Sequence, residues 1–172
     1  MLKYIIPFLL IGCHPSISLH SDVAVDSSFT QEELADIVQA SDEWKNTTDN
    51  LVDLNLIITD HPEEYGNDTM KIVLDKALTL KDGNLLFGHT AFVASVSQIT
   101  LYPASIADSP MPPPFKEIIM HELGHSLGLA HMPEGLMTPM PTGINCIDSA
   151  TLNQFCGIHD CSGIKIKTDC VD

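Results

Sequence analysis

Basic side chains are what this chain of 172 residues most lacks: eight Lys and Arg stand against 23 Asp and Glu, a formal net charge of −15. They are scattered, so no basic patch exists to hold phosphates, and nucleic acid is excluded as a partner. No Asp-x-Asp-x-Asp-Gly loop is present. The acidity therefore reads as a solvated surface, and bound Ca2+, its functional alternative, has no support. Internal repeats, long charge runs and Cys-x-x-Cys pairs are missing too. What is present, 44% apolar and 18% charged residues, describes a globular chain of one-domain size, expected to be a monomer.

The first thirteen residues, MLKYIIPFLLIGC, stand apart from any fold. Lys3 gives a short positive start and Tyr4 to Ile11 an apolar run too short to cross a bilayer as a helix. Leu10-Ile11-Gly12-Cys13 resembles the lipobox of bacterial lipoprotein signal peptides. The resemblance implies removal of residues 1–12, lipidation at Cys13 and a membrane anchor at the bacterial cell envelope (outer membrane), with the domain outside the cytoplasm. An ordinary signal peptide, or a buried strand ending in an incidental cysteine, is the rival. Residues 14–28 are polar and without period, which suits a flexible tether from Cys13 to a domain spanning 29–172.

Five cysteines is an awkward count for an exported chain. Assigning Cys13 to a lipid leaves Cys146, Cys156, Cys161 and Cys170, confined to the last 27 residues. Clustering in an oxidising compartment favours two disulfides, with three pairings open; a second zinc site is the rival.

Thr30-Gln31-Glu32-Glu33 reads as a capping box ahead of Leu34, Ile37, Val38 and Trp44 at helical spacing. Strands are expected within 51–59, 70–80, 85–96 and 97–102, with a turn at 81–84 and a loop over 103–114. An irregular cysteine-rich tail closes the chain. The order gives an α+β fold, a sheet laid over a helix at 115–127.

That helix carries HELGHSLGLAH. Ile119, Leu123 and Leu127 make its core stripe, while His121 and His125, four apart, project from one face roughly 5–6 Å apart at Cβ. Two nitrogens on one tetrahedral zinc can be reached from that spacing. Glu122 is rotated by about 100° and falls beside the metal, within reach of a water. A continuing helix would turn His131 away, so Gly128 must end it in a left-handed conformation and send the chain back. Three neutral imidazoles with a fourth position open mark a catalytic rather than structural ion.

HELGHSLGLAH followed by LMTP resembles the metzincin zinc endopeptidases, and most closely their matrixin branch. The resemblance implies a zincin-type catalytic domain with a mixed sheet over the active-site helix and a small disulfide-bearing C-terminal subdomain. It implies one Zn2+ held by His121, His125 and His131, with Glu122 as general base, and Met137 as a packed floor beneath the metal. It also implies a protein or peptide substrate bound along an edge strand, for which Gly88-His89-Thr90-Ala91 (Gly88 and Ala91 foremost) is the candidate. Thr138 stands where matrixins usually carry an aromatic, and the link from His131 to Met137 is short. The expected activity is zinc-dependent peptide hydrolysis; the alternatives are a lipid-anchored binding protein that does not cut, and a zinc amidase acting on a non-peptide amide.

Overall fold

The computed structural model describes residues 19–66, 68–77, 80–81, 84–93, 96–165 and 170. Its frame is mixed α+β: one five-stranded sheet in the order β2-β1-β3-β7-β6 and a two-stranded hairpin. The strands are β1 (His20–Asp26), β2 (Asp53–Thr59), β3 (Met70–Leu74), β6 (Gly88–Val93) and β7 (Val96–Leu101). β4 (Leu80–Lys81) and β5 (Asn84–Leu85) pair antiparallel, and residues 82 and 83 of the expected turn lie outside the described residues. Four strands of the large sheet run parallel, and only β6 is antiparallel, leaving it at an edge.

β1 corrects the expectation of a tether reaching to residue 28. His20–Asp26 lies between β2 and β3, hydrogen-bonded on both sides. Val23, Ala24 and Val25 are at most 1% exposed. Three apolar residues inside a polar stretch are too short for a readable period; pairing with two neighbours, which no local signal encodes, makes the strand. Asp26 then closes the turn after it by accepting from Ser28 N at 2.8 Å. Cys13 and the signal-like segment lie outside the described residues.

Parallel β1 and β2 need a crossover, which α1 (Gln31–Thr47) supplies. Its capping box forms as expected: Thr30 N donates to Glu33 at 2.7 Å, and Glu33 N to Thr30 Oγ1 at 3.2 Å. Leu34, Ile37, Ala40 and Trp44 make its buried face. Trp44 is fully buried, and its indole N–H donates to Met120 O at 3.1 Å, tying α1 to α3 (Phe115–Ser126). The segment expected as a loop from Pro103 begins instead with a short helix, α2 (Pro103–Ala107), because proline suits a first helical turn.

The cysteine-rich tail expected to be irregular contains a helix. α4 (Ser149–Ile158) buries Leu152 and Phe155 in the same core, with Phe155 tilted against Trp44 at a ring distance of 5.7 Å. Burying a side chain the size of Phe155 contributes on the order of 2–3 kcal/mol, enough to fix the helix to the domain. The cysteines pair as Cys146–Cys170 and Cys156–Cys161, which decides among the three pairings and removes the second-zinc rival. Among the described residues, no helix is long and apolar enough to cross a membrane.

Candidate metal centre

α3 starts after Pro114 and buries Ile119 and Leu123, continuing to Leu127 at its C-cap, so the opposite face is turned to a cleft. His121 and His125 share that face, with ring centroids 4.6 Å apart. The helix stops where the sequence requires it. Gly128 sits at φ +93°. Gly128 N donates to His125 O at 3.0 Å and Leu129 N to Gly124 O at 3.0 Å, the paired closure of a Schellman cap. The reversal brings His131 back: its Nε2 lies 3.1 Å from His125 Nε2. One donor atom from each of the three histidines falls within 4.8 Å of the others.

The donor chemistry fits a metal. His125 Nδ1 is 2.8 Å from Leu129 O, and His121 Nδ1 is 2.8 Å from Leu136 O. A carbonyl only accepts, so each Nδ1 carries the proton and each Nε2 presents its lone pair. Tetrahedral zinc with bonds near 2.05 Å sets its ligand nitrogens about 3.3 Å apart, close to the His125–His131 spacing. Burial pushes the His121 imidazole down to about 4, and burial likewise lowers His125. Both rings are therefore neutral at pH 7, the form that ligates.

Two loops hold those carbonyls. The Schellman turn supplies Leu129. The second is the turn after His131: Met132 N donates to Met137 O at 2.8 Å, Gly135 takes φ +83°, and Leu136 N donates to Asp148 Oδ2 at 2.6 Å. Asp148 also caps α4, accepting from Ala150 N at 2.9 Å and Thr151 N at 3.0 Å. It thus links α4, through the backbone of one residue, Leu136, to the imidazole of His121. Met137 is fully buried against the helix. A Cβ at Gly124 would stand 2.6 Å from Met137 Sδ, so the glycine in HELGH is what lets the thioether approach.

Glu122 is 6% exposed and faces β6. Thr90 Oγ1 lies 2.6 Å from its carboxylate and 3.1 Å from its backbone carbonyl. Gly88 passes so close that an added Cβ would come within 2.8 Å of Glu122 Oε1. Burial pushes the Glu122 carboxyl up to about 7, against the opposing bond from Thr90. A cleft of about 540 Å³ runs along these residues, lined by Gly88, Thr90, His121, Glu122, His125 and His131 among others.

No family model matches the chain, and no curated protein is similar to it. Among solved structures, it is similar to high choriolytic enzyme 1, a hatching-enzyme zinc protease from Oryzias latipes (medaka fish). The TM-score is 0.40 and the identity 16%, over 65% of this chain and 44% of that one. The chain thus spans less than half of that structure. At this level the similarity assigns neither family nor activity, and the site itself has to carry the functional reading.

The expected ligands His121, His125 and His131 come together, and Glu122 stands beside them. Met137 packs below the helix, while Gly88 and Ala91 lie on edge strand β6. Two residues escaped the sequence reading as participants. Thr90 is read there within the candidate substrate edge strand, and its bond to the Glu122 carboxylate has no local signal. Asp148 carries a signal that could have been used, an Asp just before a segment with Leu152 and Phe155 on one face.

Proposed function

We propose that the chain is a zinc-dependent endopeptidase. The observation that carries this is the convergence of three imidazoles, two of fixed tautomer, with a buried carboxylate on the same helix, in a cleft bordered by a sheet edge. His121, His125 and His131 would hold the zinc, which would polarise the scissile carbonyl and ease deprotonation of a water. Glu122 accepts that water's proton as the C–O bond forms, then hands it to the amine as the C–N bond breaks. Thr90 holds the carboxylate in place for both transfers. β6 ends the sheet order, and an edge strand suits an extended peptide laid against it by strand addition. That favours a peptide over a small non-peptide amide.

We further propose that the enzyme works at the bacterial cell envelope, anchored through Cys13. The support is the lipobox-like sequence and the two disulfides, which persist in oxidising compartments. Membrane release in Cys13→Ser is expected, and unchanged membrane association would remove this part of the reading.

For the activity, the test compares the wild type with Glu122→Ala on a mixed peptide library. Cleavage by the wild type alone supports peptide hydrolysis. Equal cleavage by both would overturn the role given to Glu122, and capture of peptides without cutting would favour a binding protein.

A further inference from the structure

A second cavity, about 90 Å³, opens beside His121 and Glu122 on the side of the Leu136–Pro141 turn. That is roughly six times what one water requires, room for a side chain. Its walls are apolar, including Leu85, Phe87, Ile118 and Met140, but they also include Glu117. Glu117 lies one helical turn before His121, on the same face of α3.

Glu117 is 2% exposed. Its carboxylate accepts from Thr142 N at 2.8 Å and from Gly143 N at 3.1 and 3.2 Å. Gly143 is at φ +82°, the conformation that lets these consecutive N–H groups converge. The carboxylate is thus fixed in place, yet it has no cationic partner among the described residues. The neighbouring Lys116 turns to Glu43 and Asn145 O, and no ion pair among the described residues includes Glu117. All eight basic residues of the chain are lysines, and none supplies its counter-charge among those described. Burying a carboxylate without a cation is costly, and two backbone donors leave lone pairs free. An apolar-walled cavity ending in such a group suits a long aliphatic stem with a cationic tip.

We infer that this cavity is a specificity pocket, and that the enzyme selects peptides carrying lysine or arginine at a position flanking the scissile bond, paired with Glu117. The inference rests on the peptidase reading above and names its substrate class. A stem entering beside His121 reaches Glu117 about one turn, 5.4 Å, further in. Arginine can pair in bidentate fashion where geometry allows, and lysine as a point charge. The net charge of −15 adds a field that draws basic peptides toward the cleft.

The test uses the full chain and matched peptides differing only in lysine, arginine or norleucine beside the cut, norleucine being the uncharged counterpart of the lysine stem. The ratio of kcat/KM for lysine over norleucine is read within each enzyme, so partial loss of folded protein cancels. We expect a ratio of at least tenfold in the wild type, falling to near one in Glu117→Gln, which keeps the shape and an acceptor for Thr142 and Gly143. Labelled lysine and norleucine peptides are also bound to Glu122→Ala, where the same tenfold preference is expected without turnover. Cleavage of both peptides at equal efficiency overturns the pocket assignment and leaves the peptidase reading standing. Preferential binding of the lysine peptide without cleavage by the wild type upholds the pocket and overturns the peptidase reading. A ratio unchanged in Glu117→Gln overturns the assignment and gives Glu117 a purely structural role.

Discussion

Replacing Asp148 by alanine should weaken both the fold and the metal centre, because one carboxylate serves both. Its side chain accepts from Leu136 N, Ala150 N, Thr151 N and Thr151 Oγ1, at 2.6 to 3.0 Å. Loss of a helix N-cap costs about 1 kcal/mol. Leaving the buried Leu136 N–H without a partner adds roughly 1–3 kcal/mol. A total of about 2–4 kcal/mol lowers the melting temperature of a domain this size by roughly 5–15 °C. Leu136, whose N–H is freed, also presents its carbonyl, in the next peptide unit, to His121 Nδ1. Loosening a ligand's supporting hydrogen bond costs about 10- to 100-fold in zinc affinity. Calorimetric melting with zinc and with chelator, alongside competition titration with a chelating dye, reads the two effects separately. Melting and zinc affinity both within error of the wild type would refute the reasoning. The pH dependence has a definite sign. Burial raises the Asp148 carboxyl, but the bonds from Leu136 and Thr151 outweigh it and hold the group below the usual carboxylate range. Its folded value lies under the unfolded one of about 3.9, so its contribution is complete above that pH and lost as pH falls through the folded value. Asp148→Asn should flatten that acid limb.

Other perturbations follow from the same contacts. Gly88→Ala drives a methyl into Glu122 Oε1; a displacement near 1 Å costs about 100-fold in activity, with zinc content unchanged, and wild-type kcat would count against the close approach. Thr90→Val removes one hydroxyl from the Glu122 carboxylate, for which we expect kcat about tenfold lower with KM little changed, and recovery in Thr90→Ser. Cutting the Cys146–Cys170 link, a closure over 24 residues, should cost about 3 kcal/mol, visible in urea midpoints, whereas an unchanged midpoint would show that the C-terminal segment is held by Leu152 and Phe155 alone.

Spacing made the candidate metal centre legible because helical geometry is local. His121, His125 and Gly128 had to fall where they do once residues 115–127 were read as one helix, and the stop at Gly128 dictated the return of His131. The supports of that centre were less visible because they come from far along the chain. Asp148 reaches His121 through Leu136, and Thr90 reaches Glu122 across 32 residues. β1 shows the same limit in the fold. Val23-Ala24-Val25 has no pattern of its own, and only β2 and β3 on either side turn a polar stretch into a buried strand. α4 was hidden by its cysteines, which drew the reading toward an irregular tail although Leu152 and Phe155 carry a helical period. Glu117, in the first turn of α3, carries no local signal of its burial, which comes from the 142–143 backbone 25 residues further on.

His121, His125 and His131 are proposed to hold one catalytic zinc. Metal analysis after equilibrium dialysis tests it most directly, on the wild type and on each single His→Ala variant. We predict one zinc per chain in the wild type, a loss of at least about 100-fold in affinity in each variant, and peptide cleavage that disappears with a chelator and returns with zinc. A wild type that binds no zinc, or variants that keep it at wild-type affinity, would contradict the account.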